Sequence, residues 1–275
     1  MFKKYNLFAI IAVLVALLLT ACSGNNDTSS EPKEKEKEKK KEDEPQVEII
    51  VSAAASLTDV AEEIKAKFNE KNPNITVTYN FGSSGKLSQQ IQQGAPADIF
   101  LSASKKDMDF LAENKLIVED SRFDFAGNEL VVITEKSKEL ELAKLEDIAT
   151  LDVKNIVMGD TEATPLGRYG KEALQTLGVW DKIESKMVYM SDVNQVLTHV
   201  ETQNAEIGIV FNTDAQRAEN VKILTKIDKS LHAPVIYPAA AINTSKAQEA
   251  AQLYLDFLGS DEGKSILEAK GFLVN

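Results

Sequence analysis

Val47-Glu48-Ile49-Ile50-Val51-Ser52-Ala53-Ala54-Ala55-Ser56-Leu57-Thr58-Asp59 opens the folded part of the chain and sets its pattern. Residues 47–52 are rich in β-branched apolar side chains (Val47, Ile49, Ile50, Val51), which predicts a strand. Residues 57–70 then place Val60, Ile64 and Phe68 at helical spacing. The same unit recurs. Residues 75–81 alternate as a strand does, and a helix carrying Leu87 and Ile91 closes at Gly94. A short buried strand over 97–103 leads into a helix over 105–114. Further strands are predicted at 129–134, 156–159, 187–190, 207–211 and 221–224. Helices fall at about 145–149, 167–177 and 193–202. Residues 234–242 read as extended, and helices over 246–258 and 261–269 end the chain. Regular alternation of strands and helices argues for an α/β fold with largely parallel sheets. No fixed-period repeat appears, which argues against a solenoid.

Upstream of this body the sequence changes character. Lys3 and Lys4 precede an uncharged apolar run over 7–19, followed by Thr20-Ala21-Cys22. A basic start, a short apolar stretch and small residues before a cut site describe a secretory signal. The run is short of the roughly 20 residues that a membrane span needs. Residues 23–46 hold no aliphatic or aromatic side chain other than proline, and carry eight acids against six lysines. Such a segment buries nothing and reads as a solvated tether. Leu19-Thr20-Ala21-Cys22 resembles the lipobox of bacterial lipoproteins, which implies lipidation of Cys22 and a multi-chain membrane anchor. The expected organisation is a signal at 1–21, the lipidated Cys22 and tether at 22–46, and the body beyond.

The body carries the whole formal charge of −12. Nucleic-acid affinity rests on clustered Lys and Arg that neutralise phosphates, so a nucleic-acid partner is not expected. Cys22 is the only cysteine, which rules out an intramolecular disulfide and a thiolate metal cluster. His199 and His232 are the only histidines and read as surface residues.

Small polar residues at strand-to-helix turns carry the chemistry. Residues 53–59 and Phe81-Gly82-Ser83-Ser84-Gly85-Lys86-Leu87 each close a strand and open a helix. Free N–H groups and the positive dipole end of such a helix form a ready anion site, with Ser hydroxyls as added donors. Each turn taken alone is equally explained by Ser and Thr as ordinary helix caps. Two in consecutive units share one carboxyl edge of a sheet, where α/β folds bind ligands. The second turn is not a P-loop, because two residues rather than four separate its glycines and Leu87 follows Lys86. A secreted hydrolase using Ser56 or Ser84 would need a histidine base with an acidic orienter, and neither histidine has a partner motif. No pair of carboxylates stands out for glycosidase work.

Ala53-Ala54-Ala55-Ser56-Leu57, the 81–85 turn, Gly94-Ala95-Pro96-Ala97-Asp98-Ile99-Phe100 and Gly208-Ile209-Val210-Phe211 resemble the molybdate-binding extracytoplasmic proteins of ABC importers. Gly170-Lys171-Glu172-Ala173-Leu174 and Leu177-Gly178-Val179-Trp180-Asp181 extend the resemblance across the body. It implies a two-lobed periplasmic-binding-protein fold, each lobe a mostly parallel sheet flanked by helices, with the ligand in the interlobe cleft. Lobe I would be 47–126 with 238–275, and lobe II 127–237. By motif, Ser56 and Ser84 would each give a hydroxyl and an N–H, and Leu166 and Val193 an N–H apiece. The family's Gly-Ile-Val-Tyr pattern supplies a tyrosine hydroxyl where this chain has Phe211. That departure leaves a smaller donor set, or a substitute from water, Asn212 or Thr213. The implied function is a binding lipoprotein rather than an enzyme, without cofactor, that captures molybdate or tungstate. It would act as a membrane-anchored extracytoplasmic monomer that serves an ABC permease and its ATPase. A sulfate- or phosphate-type receptor is the alternative of the same class. A purely structural surface lipoprotein is another.

Overall fold

The computed structural model describes residues 45–274. The signal, Cys22 and all but the end of the tether lie outside the described residues. The first sheet is built from β1 (Val47–Ala54), β2 (Ile75–Gly82), β3 (Ile99–Leu101) and β4 (Phe123–Asn128), interleaved with α1 (Thr58–Lys71), α2 (Ser84–Gln92) and α3 (Lys105–Glu113). The chain then enters a second sheet of β5 (Leu130–Glu135), β6 (Ile156–Gly159), β7 (Met187–Met190), β8 (Ile207–Phe211) and β9 (Val221–Lys226). Its helices are α4 (Pro165–Thr176), α5 (Trp180–Ile183), α6 (Val193–Glu201) and α7 (Asn212–Arg217). β10 (Val235–Ala241) returns to the first sheet, and α8 (Gln248–Gly259) and α9 (Asp261–Ala269) pack there.

The two sheets are built alike. Their strand orders are β2-β1-β3-β10-β4 and β7-β6-β8-β5-β9. In each, three strands pair in parallel, and the fourth position is an antiparallel strand, β10 or β5. The sheets are thus mostly parallel, each with one reversed strand. Those two reversed strands are the ones that begin directly after the chain changes lobe.

Burial follows from strand position. In β1, a central strand, Ser52, Ala53 and Ala54 are all buried, as expected where helices cover both faces. β2 lies at an edge and alternates, with Ile75 and Val77 inside and Thr76 and Thr78 outside. The period of two also separates the layers of the first lobe. Ile99, Leu101, Ala239 and Ala241 join the core that holds Phe68, Tyr254 and Phe257, whereas Phe100 and Ala240 face the cluster of Leu87, Ile91, Met108 and Leu111. Asp98, from the quoted 94–100 motif, plays a structural part. Its carboxylate accepts from Ile50 N–H at 2.7 Å and from Ser245 Oγ at 2.5 Å, tying β1 to the chain entering α8.

Two elements differ from expectation. Residues 123–128, where the sequence predicts no strand, form β4, whose backbone pairs with β10, and Phe123 and Phe125 meet edge-on with ring centroids 6.5 Å apart. α7 has no apolar stripe and was invisible to periodicity. Asn212, Thr213, Asp214 and Ala215 are nonetheless buried, and the Asn212 N–H donates to the Glu129 carbonyl at 2.8 Å. His232 is also buried rather than on the surface, its Nδ1 2.7 Å from the Ala233 carbonyl.

Candidate functional site

Six strands, three from each sheet, bring their carboxyl ends to one small cavity. Ala54, Ala55 and Ser56 line it after β1, Gly82, Ser83 and Ser84 after β2, and Ala103 after β3. The second lobe contributes Thr164, Pro165 and Leu166 after β6, Asp192 and Val193 after β7, and Phe211 at the end of β8. All five residues singled out in the sequence, Ser56, Ser84, Leu166, Val193 and Phe211, lie here. The cavity is small, about 20 Å³.

Helix starts supply the donors. In α4, Pro165 has no N–H, and the Gly167 N–H donates to the Thr164 Oγ1 cap at 2.9 Å. Leu166 therefore holds the one first-turn N–H that faces the cleft without a protein acceptor among the described residues. α6 repeats the design. Its cap Asp192 accepts from Gln195 N–H at 3.1 Å, which leaves the Val193 and Asn194 N–H groups free. At α2 the cap position is Ser83, whose side chain makes no capping bond, so the first-turn N–H groups stay free as well. Three positive helix ends thus converge, an arrangement that favours an anion.

The hydroxyls are equally available. Ser84 is fully buried and its Oγ accepts from Ala103 N–H at 2.9 Å. Ser56 Oγ lies 2.9 Å from the Tyr237 hydroxyl. Ser83 Oγ is buried with no partner among the described residues, and the sequence does not distinguish it from an ordinary cap. Its signal was the doubled serine in Gly82-Ser83-Ser84-Gly85, one hydroxyl more than a cap requires.

No lysine or arginine lines the cavity among the described residues. Asp192 is the one charged residue on its wall, and its oxygens are turned onto Gln195 and Ser191. Arg168, the cation nearest in sequence to Leu166, is held away by Asp107 and the Glu162 carbonyl. Neither Ser56 nor Ser84 hydrogen-bonds a histidine or carboxylate among the described residues. Among these residues there is also no cluster of His, Cys, Asp or Glu able to hold a metal ion.

The lobes meet around the cavity. Arg168 of α4 pairs with Asp107 of α3 across the cleft, with both side chains mostly buried. Burial raises the Asp107 carboxyl, and Arg168 opposes that rise. Asn194 Nδ2 reaches Thr58 Oγ1 at 3.5 Å. Gly85 approaches the opposite lobe so closely that a Cβ there would lie 2.5 Å from the Ala163 carbonyl oxygen.

Phe211 lines the cavity without a hydroxyl, its ring edge-on to Tyr237 with centroids 6.1 Å apart. The two substitutes suggested by sequence, Asn212 and Thr213, do not line it. Thr213 Oγ1 instead accepts from Asn128 Nδ2 at 2.9 Å. The hydroxyl that does reach the site is that of Tyr237, by way of Ser56. In α7, burial pushes the Asp214 carboxyl up to about 7 against the opposing pull of Arg217.

Residues 49–273 match the family described as bacterial extracellular solute-binding proteins. The chain belongs to that family. Among its solute-binding relatives is YvgL of Bacillus subtilis, named provisionally as an ABC transporter substrate-binding lipoprotein, 36% identical over 99% of both chains. The molybdate-binding protein ModA of Haemophilus influenzae is 35% identical over 82% of this chain and 89% of its own. A solved substrate-binding domain from Clostridium difficile, described provisionally as part of a molybdenum ABC transporter, is 37% identical with a TM-score of 0.66. It is covered over its full length by 84% of this chain.

Proposed function

We propose that this solute-binding protein captures molybdate or tungstate outside the cytoplasm and presents it to an ABC permease driven by its ATPase. Ser56 and Ser84 give hydroxyl and N–H donors from the first lobe, and Leu166 and Val193 give N–H donors from the second. The observation that carries this reading is a small cavity walled from both lobes by free helix-start N–H groups and hydroxyls, with no lysine or arginine on its wall among the described residues. The name of the ModA relative supports the choice of oxyanion.

Neutral donors suit the task. Fixed N–H dipoles in a low-dielectric cleft make charge-assisted bonds of about 1.5–3 kcal/mol each. An unpaired Lys or Arg in the empty site would cost more to desolvate. The body's negative charge is screened beyond roughly 8 Å in physiological salt, so it does not bar approach. Because backbone fixes the donor positions, guest size decides selectivity. Molybdate and tungstate nearly match, whereas sulfate is smaller and fits loosely. A guest held by both lobes shifts the population toward the closed form, which the permease then recognises. Cys22 anchors the chain to the membrane by lipid, the protein acts as a monomer, and it catalyses no reaction.

Thermal unfolding with molybdate, tungstate, sulfate, phosphate or no anion tests the reading. Ligand at about 100 times its dissociation constant adds roughly 2.7 kcal/mol of stability. A rise in Tm with molybdate and tungstate is expected. No rise with either refutes the proposal, and a larger rise with sulfate or phosphate replaces the ligand.

A further inference from the structure

The direction of each serine hydrogen decides whether that serine attracts an oxyanion or repels it, since a hydroxyl offers one donor and two lone pairs. Ser84 is settled locally. Ala103 N–H can only donate, so Ser84 Oγ accepts from it and its own hydrogen is left for the cavity. Ser56 faces a partner that could act either way, the Tyr237 hydroxyl at 2.9 Å.

The direction is fixed at the crossover between lobes. Glu129 N–H donates to Asn128 Oδ1 at 2.9 Å, which identifies the oxygen end of that amide. The other end, Nδ2, then donates to Thr213 Oγ1 at 2.9 Å and to the Tyr237 hydroxyl at 3.3 Å. The Tyr237 oxygen already accepts one hydrogen, and the residue is completely buried. Among the described residues, the hydrogen-bond partner left for its own hydrogen is Ser56 Oγ. Ser56 must accept, and its hydrogen is released toward the cavity.

We propose that Tyr237 is a positioning residue that sets the donor polarity of Ser56, with Asn128 fixing the direction of the relay. The tyrosine does not line the cavity and does not touch the guest. The inference rests on the oxyanion reading of the cavity. It also gives a physical role to a residue 181 positions from Ser56 in sequence. Thr213 lies in α7, after β8 of the second sheet, and Tyr237 in β10 of the first, so the relay joins the two sheets.

Titration calorimetry with sodium molybdate on wild type, Tyr237→Phe, Ser56→Ala and the double variant tests it. Tyr237→Phe is expected to weaken binding roughly three- to tenfold. Ser56→Ala should weaken it further, and the double variant should match Ser56→Ala alone. A tyrosine acting only through packing would instead cause the same fold loss in both backgrounds, and that result overturns the relay. Asn128→Asp gives a second test with Tyr237 intact. Its carboxylate takes the tyrosine hydrogen, Ser56 must donate to Tyr237, and serine lone pairs then face the anion. In that background Ser56→Ala should leave binding unchanged or tighten it, and a loss like the one in wild type refutes the inference. Wild type that binds neither molybdate nor tungstate would refute the oxyanion reading itself, whereas wild-type binding with additive losses refutes only the relay.

Discussion

Gly85→Ala should obstruct closure of the lobes without harming the fold. The three atoms nearest an added methyl are Ala163 O at 2.5 Å, Ala163 C at 3.2 Å and Arg168 Nη1 at 3.5 Å, all on the opposite lobe. Two of them are backbone and cannot swing aside. Ordinary contact begins at 3.4 Å, so the lobes must part locally by about 0.9 Å. Charge-assisted hydrogen bonds are about 2.7–2.9 Å long, and stretching the proposed Leu166 and Val193 contacts by that amount would break them. Loss of one such bond weakens binding by roughly 10- to 100-fold, and loss of both by a multiple of that. Within the first lobe the methyl meets none of these atoms, and alanine is the better helix former. The ligand-free Tm should therefore hold or rise. Calorimetry with molybdate and a ligand-free melt, run side by side, give the answer. Wild-type affinity would refute the closed-cleft geometry, and a matching drop in ligand-free Tm would show that Gly85 serves the fold instead.

Other substitutions probe the remaining parts. Ser84→Ala should weaken molybdate binding tenfold or more, for one lost charge-assisted bond of about 1.5–3 kcal/mol; unchanged affinity in calorimetry would reduce the turn to a helix cap. Phe211→Tyr restores a hydroxyl on a ring that lines the cavity and is expected to tighten binding, whereas weaker binding would show that its packing against Tyr237 leaves no room. Asp214 in the fold is raised from 3.8 to about 7, so its contribution to stability is full below pH 3.8 and is lost as pH rises through about 7. Asp214→Asn should remove that decline, a difference of no more than about 4 kcal/mol, read from urea unfolding between pH 4.5 and 8.5. Parallel pH profiles for the two proteins would contradict it.

What the sequence disclosed and what it hid follow one physical division. Residues 47–59 and 75–87 announce their strand-turn-helix units because apolar period and cap chemistry are local. Ser56, Ser84, Leu166 and Val193 each sit at such a turn, and the fold brings all four turns to one cavity. Tyr237 gave no local sign, since its role depends on a hydroxyl contact spanning 181 residues. The Arg168–Asp107 pair, 61 residues apart and on different lobes, was hidden for the same reason. α7 escaped because Asn212-Thr213-Asp214-Ala215-Gln216-Arg217 is buried by its location and not by an apolar stripe. Ser83 was legible as a residue but not as a free hydroxyl, because only the fold shows that it caps nothing.

A crystal structure of the protein grown with molybdate is the most direct test that uncharged donors from two lobes hold the anion. The expected result places its oxygens about 2.7–3.0 Å from the Ser56 and Ser84 hydroxyls and from the Leu166 and Val193 nitrogens, with no lysine or arginine in contact. An anion gripped directly by a cationic side chain, or one bound outside this cavity, would contradict it.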